Sequence, residues 1–235
     1  DSVILQAWKN GLYKMKLSNG TSKTVNIDHI PVPMEIRGPW TINFPKGWGA
    51  PESINIDELM SWTDHSDSEI RHFSGTAVYQ KEIDIPAGMI MRDQSLWLDL
   101  GRVYNMAEVF VNGLNLGTCW APPYGVNVTE ALKQGRNMLE VRVTNLWPNR
   151  LIGDEEKTDP RPFAWNKRWR ALLPVEWETW QELAETEERK PGEFARNTGR
   201  HTWSTVKFYE ADDPLLESGM IGPVVIYVQK KKTLS

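Results

Sequence analysis

The side chains best equipped for chemistry fall in two stretches. Between 176 and 188 stand Glu176, Glu178, Glu182, Glu185, Glu187 and Glu188. Hydrolysis of a glycosidic bond by two carboxylates needs an acid of raised pKa and a second carboxylate about 5 to 10 Å away across the sugar. Six acids at helical spacing read instead as a solvated helix face, and no one pair stands out among them. The second stretch is NLWPNRLIGDE, 145–155. Arg150 can present a planar fork to Asp154 or Glu155, and Asn145 and Asn149 can tie loop backbone, which would fix the exit from a packed core. Beside Trp147 and Trp120 the same groups also make what a saccharide site uses, an aromatic platform with polar partners for vicinal hydroxyls. Both readings stay open. GRHTWST, 199–205, adds Arg200, His201 and Trp203. If the stretch before it folds back over the core, these three share a pocket with Trp120, Tyr124 and Asn149.

Other chemistries lack their residues. His29, His65, His72 and His201 have no metal-ligand spacing, and neither a Gly-rich phosphate loop nor a nucleophile elbow occurs. Asp64, Asp67 and Glu69 offer oxygens to Ca²⁺, but DHSDSE lacks the glycine turn of a dedicated loop, so a surface turn is the plainer reading. No cofactor is expected. The formal charge of -4 with scattered Lys and Arg gives no footprint for phosphate backbones, which argues against nucleic acid as a partner. Cys119 is the single cysteine, so no intramolecular disulfide forms and a thiolate zinc site lacks its second ligand. No apolar run approaches the roughly 20 residues of a membrane helix. The chain begins at Asp1 without a signal region and reads as processed or cut.

The elements that must carry these residues read mostly as strands. In AEVFVNGLNLGT, 107–118, apolar residues flank an Asn-Gly pair, the mark of a hairpin with a primed turn. Alternation marks strands at 75–85, 96–100, 138–144, 205–209 and 224–229, with a short one from Trp40 toward Phe44. A first hairpin occupies 12–27 around Ser18, Asn19 and Gly20, and Pro31 and Pro33 then suit a linker. Residues 56–62 read as a helical turn with Asp57 and Glu58 at its start, and 126–137 as another with Thr129 as N-cap and Gly135 as stop. Roughly 55 residues separate the strand ending at Asn145 from Trp203, far more than an ordinary loop. Within them 163–173 places Trp165, Trp169 and Leu172 on one helical face, and 175–188 does so with Trp177, Trp180 and Ala184. The 12 Trp residues read first as core, since each buries a large apolar area. Short strands between turn signals predict an all-β antiparallel sandwich with a partly helical insertion at 146–202. Residues 1–33 read as a hairpin and linker ending a preceding domain, and 34–235 as the sandwich.

The pieces FSGTAVYQKEIDIP (73–86), LWLDLGRVYNMAEVFVNGLNLG (96–117) and PYGVNVTEALKQGRNMLEVRVTN (123–145) resemble, in order and spacing, the sugar-binding domain of family 2 glycoside hydrolases, a galactose-binding-like jelly roll. GPWTINF from Gly38, ELMSWTDHSD from Glu58, NLWPNRLIGDE and LLESGMIGPVVI from Leu215 extend the likeness to nearly the whole chain. They look like the C-terminal region of large bacterial α-L-rhamnosidase-like glycoside hydrolases. The resemblance implies a non-catalytic, carbohydrate-binding-like module of a secreted or periplasmic enzyme, partnered by an upstream catalytic domain of the same polypeptide and by carbohydrate. It also implies that a structural calcium could be present, for which Asp64, Asp67 and Glu69 are the available oxygens. Its candidate sugar contacts are Trp120, Tyr124, Trp147, Asn149, Arg150, Asp154, Arg200, His201 and Trp203. Two alternatives remain, an independently active hydrolase using an Asp/Glu pair and a purely structural docking domain.

Overall fold

A computed structural model describes residues 3–18, 20–157, 201–202 and 208–234. In chain order the strands are β1 (Val3–Ala7), β2 (Gly11–Lys16), β3 (Ser22–Ile27), β4 (Met34–Glu35), β5 (Trp40–Asn43) and β6 (Ser53–Ile56). A 3-10 turn (Trp62–Asp64) and α1 (Ser68–Arg71) follow. Next come β7 (Thr76–Ile85), β8 (Gln94–Asp99), β9 (Arg102–Tyr104), β10 (Met106–Val111), β11 (Leu114–Cys119), β12 (Gly125–Asn127), β13 (Gly135–Thr144), α2 (Pro148–Glu155), β14 (Gly219–Gly222) and β15 (Val225–Leu234). No helix among the described residues is long and apolar enough to cross a membrane.

Two antiparallel sheets face each other. One runs β11-β10-β13-β7-β5-β6; the other runs β1-β15-β8-β12, with β4 also on β15. Period-2 alternation decides which side chains meet between them. Ala77, Tyr79, Ile83 and Ile85 of β7, Leu139, Val141 and Val143 of β13, and Val109 and Val111 of β10 are buried from one sheet. Leu96, Leu98, Ile226 and Val228 are buried from the other, and all belong to one hydrophobic cluster. Each such Val, Leu or Ile contributes about 1.5–3 kcal/mol relative to exposure. The fold is therefore the all-β sandwich that the alternation predicts.

The hairpin at Asn112 and Gly113 forms as read: both residues have positive φ, 53° and 82°, which a two-residue primed turn requires. Two local readings need correction. Residues 56–62 do not form the helical turn expected there: Ile56 ends β6, where Ile54 and Ile56 pair against Ile42 and Trp40 of β5, 57–61 are irregular, and the 3-10 turn begins only at Trp62, followed by α1. At 126–137 one turn forms, with Leu132 N–H donating to the Val128 carbonyl, but Thr129 does not cap it. The Thr129 hydroxyl accepts from Leu96 N–H, and Asn127 Oδ1 accepts from Thr129 N–H. β9, β12 and β14 are too short to show alternation, and the reading of the sequence passes over them. The helical runs at 163–173 and 175–188 lie outside the described residues, as does most of the strand expected at 205–209; its last two residues, Phe208 and Tyr209, are described and lie in no strand.

The segment before residue 34 joins the sandwich through β1, which pairs Val3–Ala7 with Lys230–Leu234 of β15. Ala7, Ile27 and Ile30 are buried in the shared cluster, and β2 and β3 make a separate two-stranded sheet.

Candidate functional site

α2 begins where β13 ends. Pro148 occupies its first turn, where a missing N–H costs nothing. Just upstream, the Asn145 side chain accepts from Gly75 N–H (2.8 Å) and donates to the Phe73 carbonyl (2.8 Å), clamping the strand exit to the loop before β7. Asn149 both donates to the Leu216 carbonyl (2.7 Å) and accepts from Leu216 N–H (2.8 Å), which holds the chain that leads into β14. The two amides thus tie loop backbone, one of the two roles their positions offered.

Arg150 and Asp154 sit one turn apart on α2, and both are buried. Arg150 Nε stands 3.2 Å from Asp154 Oδ1, and its Nη1 donates to Glu69 Oε2 at 3.2 Å. The Nε to Oδ1 contact is an ion pair without hydrogen-bond alignment, and Nε, Nη2 and Oδ1 have no hydrogen-bond partner among the described residues. Asp154 Oδ2 accepts from the N–H groups of His201 and Thr202 and from the Thr202 hydroxyl (2.6 Å). One carboxylate therefore binds Arg150 with one oxygen and pins the 201–202 segment with the other. Glu69 also takes Lys157 Nζ at 3.0 Å. Burial pushes the Glu69 carboxyl upward, but the Lys157 hydrogen bond and the charges of Arg150 and Lys157 outweigh it and hold the carboxyl below its usual range. A general acid for glycoside hydrolysis needs the opposite shift.

An aromatic surface covers this charged knot. Trp48 lies beside Trp147 (ring centroids 5.7 Å) and stacks on His201 (6.1 Å, 23° between planes). Burial lowers the His201 pKa, helped by the positive charge of Arg150 and opposed by Asp154 and Glu69, so the ring that meets Trp48 favours its neutral form. Gly49, at φ 90°, lets the loop pass close: a side chain there would meet Glu69, His201 and Arg150. Trp48, Gly49 and Lys157 are members of this site that the sequence reading did not select. A Trp between two glycines in a loop, GWG at 47–49, is the signal that could have found one of them, since such a ring has little local chain to pack on.

The sequence-derived candidates divide accordingly. Trp147, Arg150, Asp154 and His201 come together. Asn149 lies on the next face of α2, where it lines a cavity of ≈ 380 Å³ with Asn105 and 215–218, and the buried Tyr124 reaches the rim of that cavity by donating to the Asn105 carbonyl at 3.0 Å. Trp120, at 76% exposure, stands in solvent past the end of β11 without a ring contact among the described residues. Arg200 and Trp203 lie outside the described residues. Asp64, Asp67 and Glu69 do not converge as a cation cage. Asp67 Oδ1 caps α1 by accepting from Glu69 N–H (2.8 Å), and Glu69 is committed to two cationic side chains. Among the described residues no three His, Cys, Asp or Glu are placed to hold a metal.

No family model matches the chain. It is 34% identical over 224 residues to a protein of Formosa agariphila named "Putative beta-glucuronidase", a match covering 95% of this chain and 18% of the relative. Among solved structures, the rhamnosidase from Novosphingobium sp. PP1Y superposes with a TM-score of 0.63 at 31% identity, over 88% of this chain and 16% of that one. A β-D-glucuronidase of Dictyoglomus thermophilum gives 0.52 at 19% identity, over 87% of this chain and 29% of that one, a likeness of fold alone. These relatives are glycoside hydrolases. The chain spans less than a fifth of the length of the first two.

Proposed function

We propose that the chain is a non-catalytic, carbohydrate-binding-like module of a larger, secreted or periplasmic α-L-rhamnosidase-like glycoside hydrolase, related to galactose-binding-like domains. Its role is to support the catalytic part of the same polypeptide and to present aromatic loops to carbohydrate. The observation that carries this reading is the match to two glycoside hydrolases over nearly all of this chain and less than a fifth of theirs. The chemistry of the site supports the non-catalytic half. Glu69 is held ionised by two cations and is not prepared to protonate a leaving group, and Asp154 is fully buried with its oxygens engaged by Arg150 and the 201–202 segment. Asp154 and Asn149 hold backbone and Arg150 holds two carboxylates, which leaves the exposed rings of Trp147, Trp48 and Trp120 to meet a sugar or another domain. The docking-domain alternative draws on the same packing, since Trp48, Trp147 and His201 already cover one another. The purified chain, incubated with an aryl α-L-rhamnoside and an aryl β-D-glucuronide, is expected to release no phenol above the uncatalysed rate. Release above that rate would overturn the reading.

A further inference from the structure

The second sheet carries an aromatic groove on its outward face, well away in sequence from the α2 knot. On β8 the alternation that buries Leu96 and Leu98 turns Trp97 and Asp99 outward. On β15 it turns Tyr227 outward, and register places Tyr227 directly across from Trp97. Gly125 of β12 stands opposite Asp99 and adds no side chain, which keeps the floor open. One wall is the chain after β1: Trp8 meets Trp97 edge to face, ring centroids 6.0 Å apart, and remains 45% exposed. The opposite wall is 30–33. The two walls are tied by the Asn10 side chain, which accepts from Ile30 N–H (2.8 Å) and donates to the Ile30 carbonyl (3.1 Å).

The space so enclosed is ≈ 640 Å³, mostly apolar, with Lys9 and Asp99 at its polar points. That is within the ~300–1,000 Å³ of small-molecule sites, which combine apolar walls with a few placed polar groups. Asp99 commits Oδ1 to Gly101 N–H at 2.9 Å, leaving Oδ2 available to accept from a hydroxyl. Trp97 keeps a buried indole N–H that has no partner among the described residues. Leu or Phe would fill the same position without that cost, so packing alone gives no reason for an indole. Flat rings, a half-open groove and carboxylate and ammonium groups at the edge suit a pyranose, whose C–H face is apolar and whose rim is hydroxyl.

We propose that this groove is a saccharide subsite, in which one pyranose ring packs on Trp8 and Tyr227 over Trp97 and its hydroxyls meet Asp99 and Lys9. The ligand class rests on the accessory-module reading; the location does not. The test is titration of the full 235-residue chain with methyl α-L-rhamnopyranoside, methyl β-D-glucuronide and cellobiose, read by ¹H–¹⁵N indole shifts, with Trp8→Phe used to assign the Trp8 signal. At least one sugar is expected to bind in the millimolar range with shifts at the Trp8 and Trp97 indoles. Trp8→Ala should weaken it about tenfold, and Leu114→Ala, at an exposed β11 position outside the groove, should leave it unchanged. Tyr227→Ala is the second variant should Trp8→Ala fail to fold, and the wild-type indole shifts stand apart from either. Binding that survives Trp8→Ala but disappears in Trp147→Ala overturns the groove and leaves the accessory module standing. Absence of binding by the wild type up to about 50 mM also overturns the groove, and the hydrolysis assay then judges the module by itself.

Discussion

Arg150 is a buried cation between two carboxylates, and its removal strands a charge. Asp154 is fully buried and would lose its cationic partner, so Arg150→Met is expected to cost about 3–5 kcal/mol in urea unfolding. Arg150→Lys should recover little of this, since an ammonium cannot reach Glu69 and Asp154 as a planar fork does. The exposed pair Arg37 and Glu35 supplies the contrast: at 81% and 42% side-chain exposure it is screened by solvent, and its loss should leave the urea midpoint nearly unchanged. The same residues set an acid response. Burial lowers the His72 pKa, with Glu156 opposing and Arg150 reinforcing, and His201 is lowered as well. A His lowered in the fold binds fewer protons than in the unfolded chain, so stability begins to fall as pH drops below the ordinary 6.5. Glu69, also lowered, contributes stability above its ordinary 4.5 that is lost below it. The three shifts share a sign, so Tm should decline steadily from pH 7 to pH 4; a Tm that rises on acidification would contradict these assignments. The Arg150 to Asp154 pair is legible in sequence because i and i+4 share a helix face. Glu69 is 81 residues away, and no local rule connects it.

At the scale of elements, strands with long alternation were readable and short ones were not. β7, β10 and β13 show period 2 over six to ten residues, while β9 and β12 have three residues each, too few for a period to declare itself. The misreading at 56–62 has a different cause. Asp57 and Glu58 look like a helix start, but the pairing of Ile54 and Ile56 with β5 overrides that local preference. The Asn112 and Gly113 turn shows how tertiary contact adds to a local signal. The backbone needs only positive φ, yet the Asn112 side chain donates to the Ala131 carbonyl and to Asn137 Oδ1 and accepts from Met138 N–H. Asn112→Gly satisfies the turn and loses all three bonds, so it should destabilise by about 1–3 kcal/mol in denaturant. No loss would mean that turn geometry alone explains this residue.

Across the whole molecule, the first strand completes a sheet by pairing with the last, β15. β1 covers Lys230–Leu234 of β15, and Ala7, Ile27 and Ile30 enter the shared core. Deleting 1–33 would bare an edge strand and those core contacts together. The truncated chain is expected to lose more than about 10 °C in Tm, or to associate on size exclusion; a change within about 2 °C would contradict that role. The sequence by itself determined the class of architecture, because alternation and turn residues are local and act within a few positions. It also determined which residues of 145–155 could meet across one helical turn. Only the tertiary structure decided that Glu69 closes the Arg150 knot, that Trp48 and His201 cover it, and that Trp8, Trp97 and Tyr227 line one groove. Those meetings join residues from distant parts of the chain, and burial of the two sheet faces, rather than any local preference, brings them together.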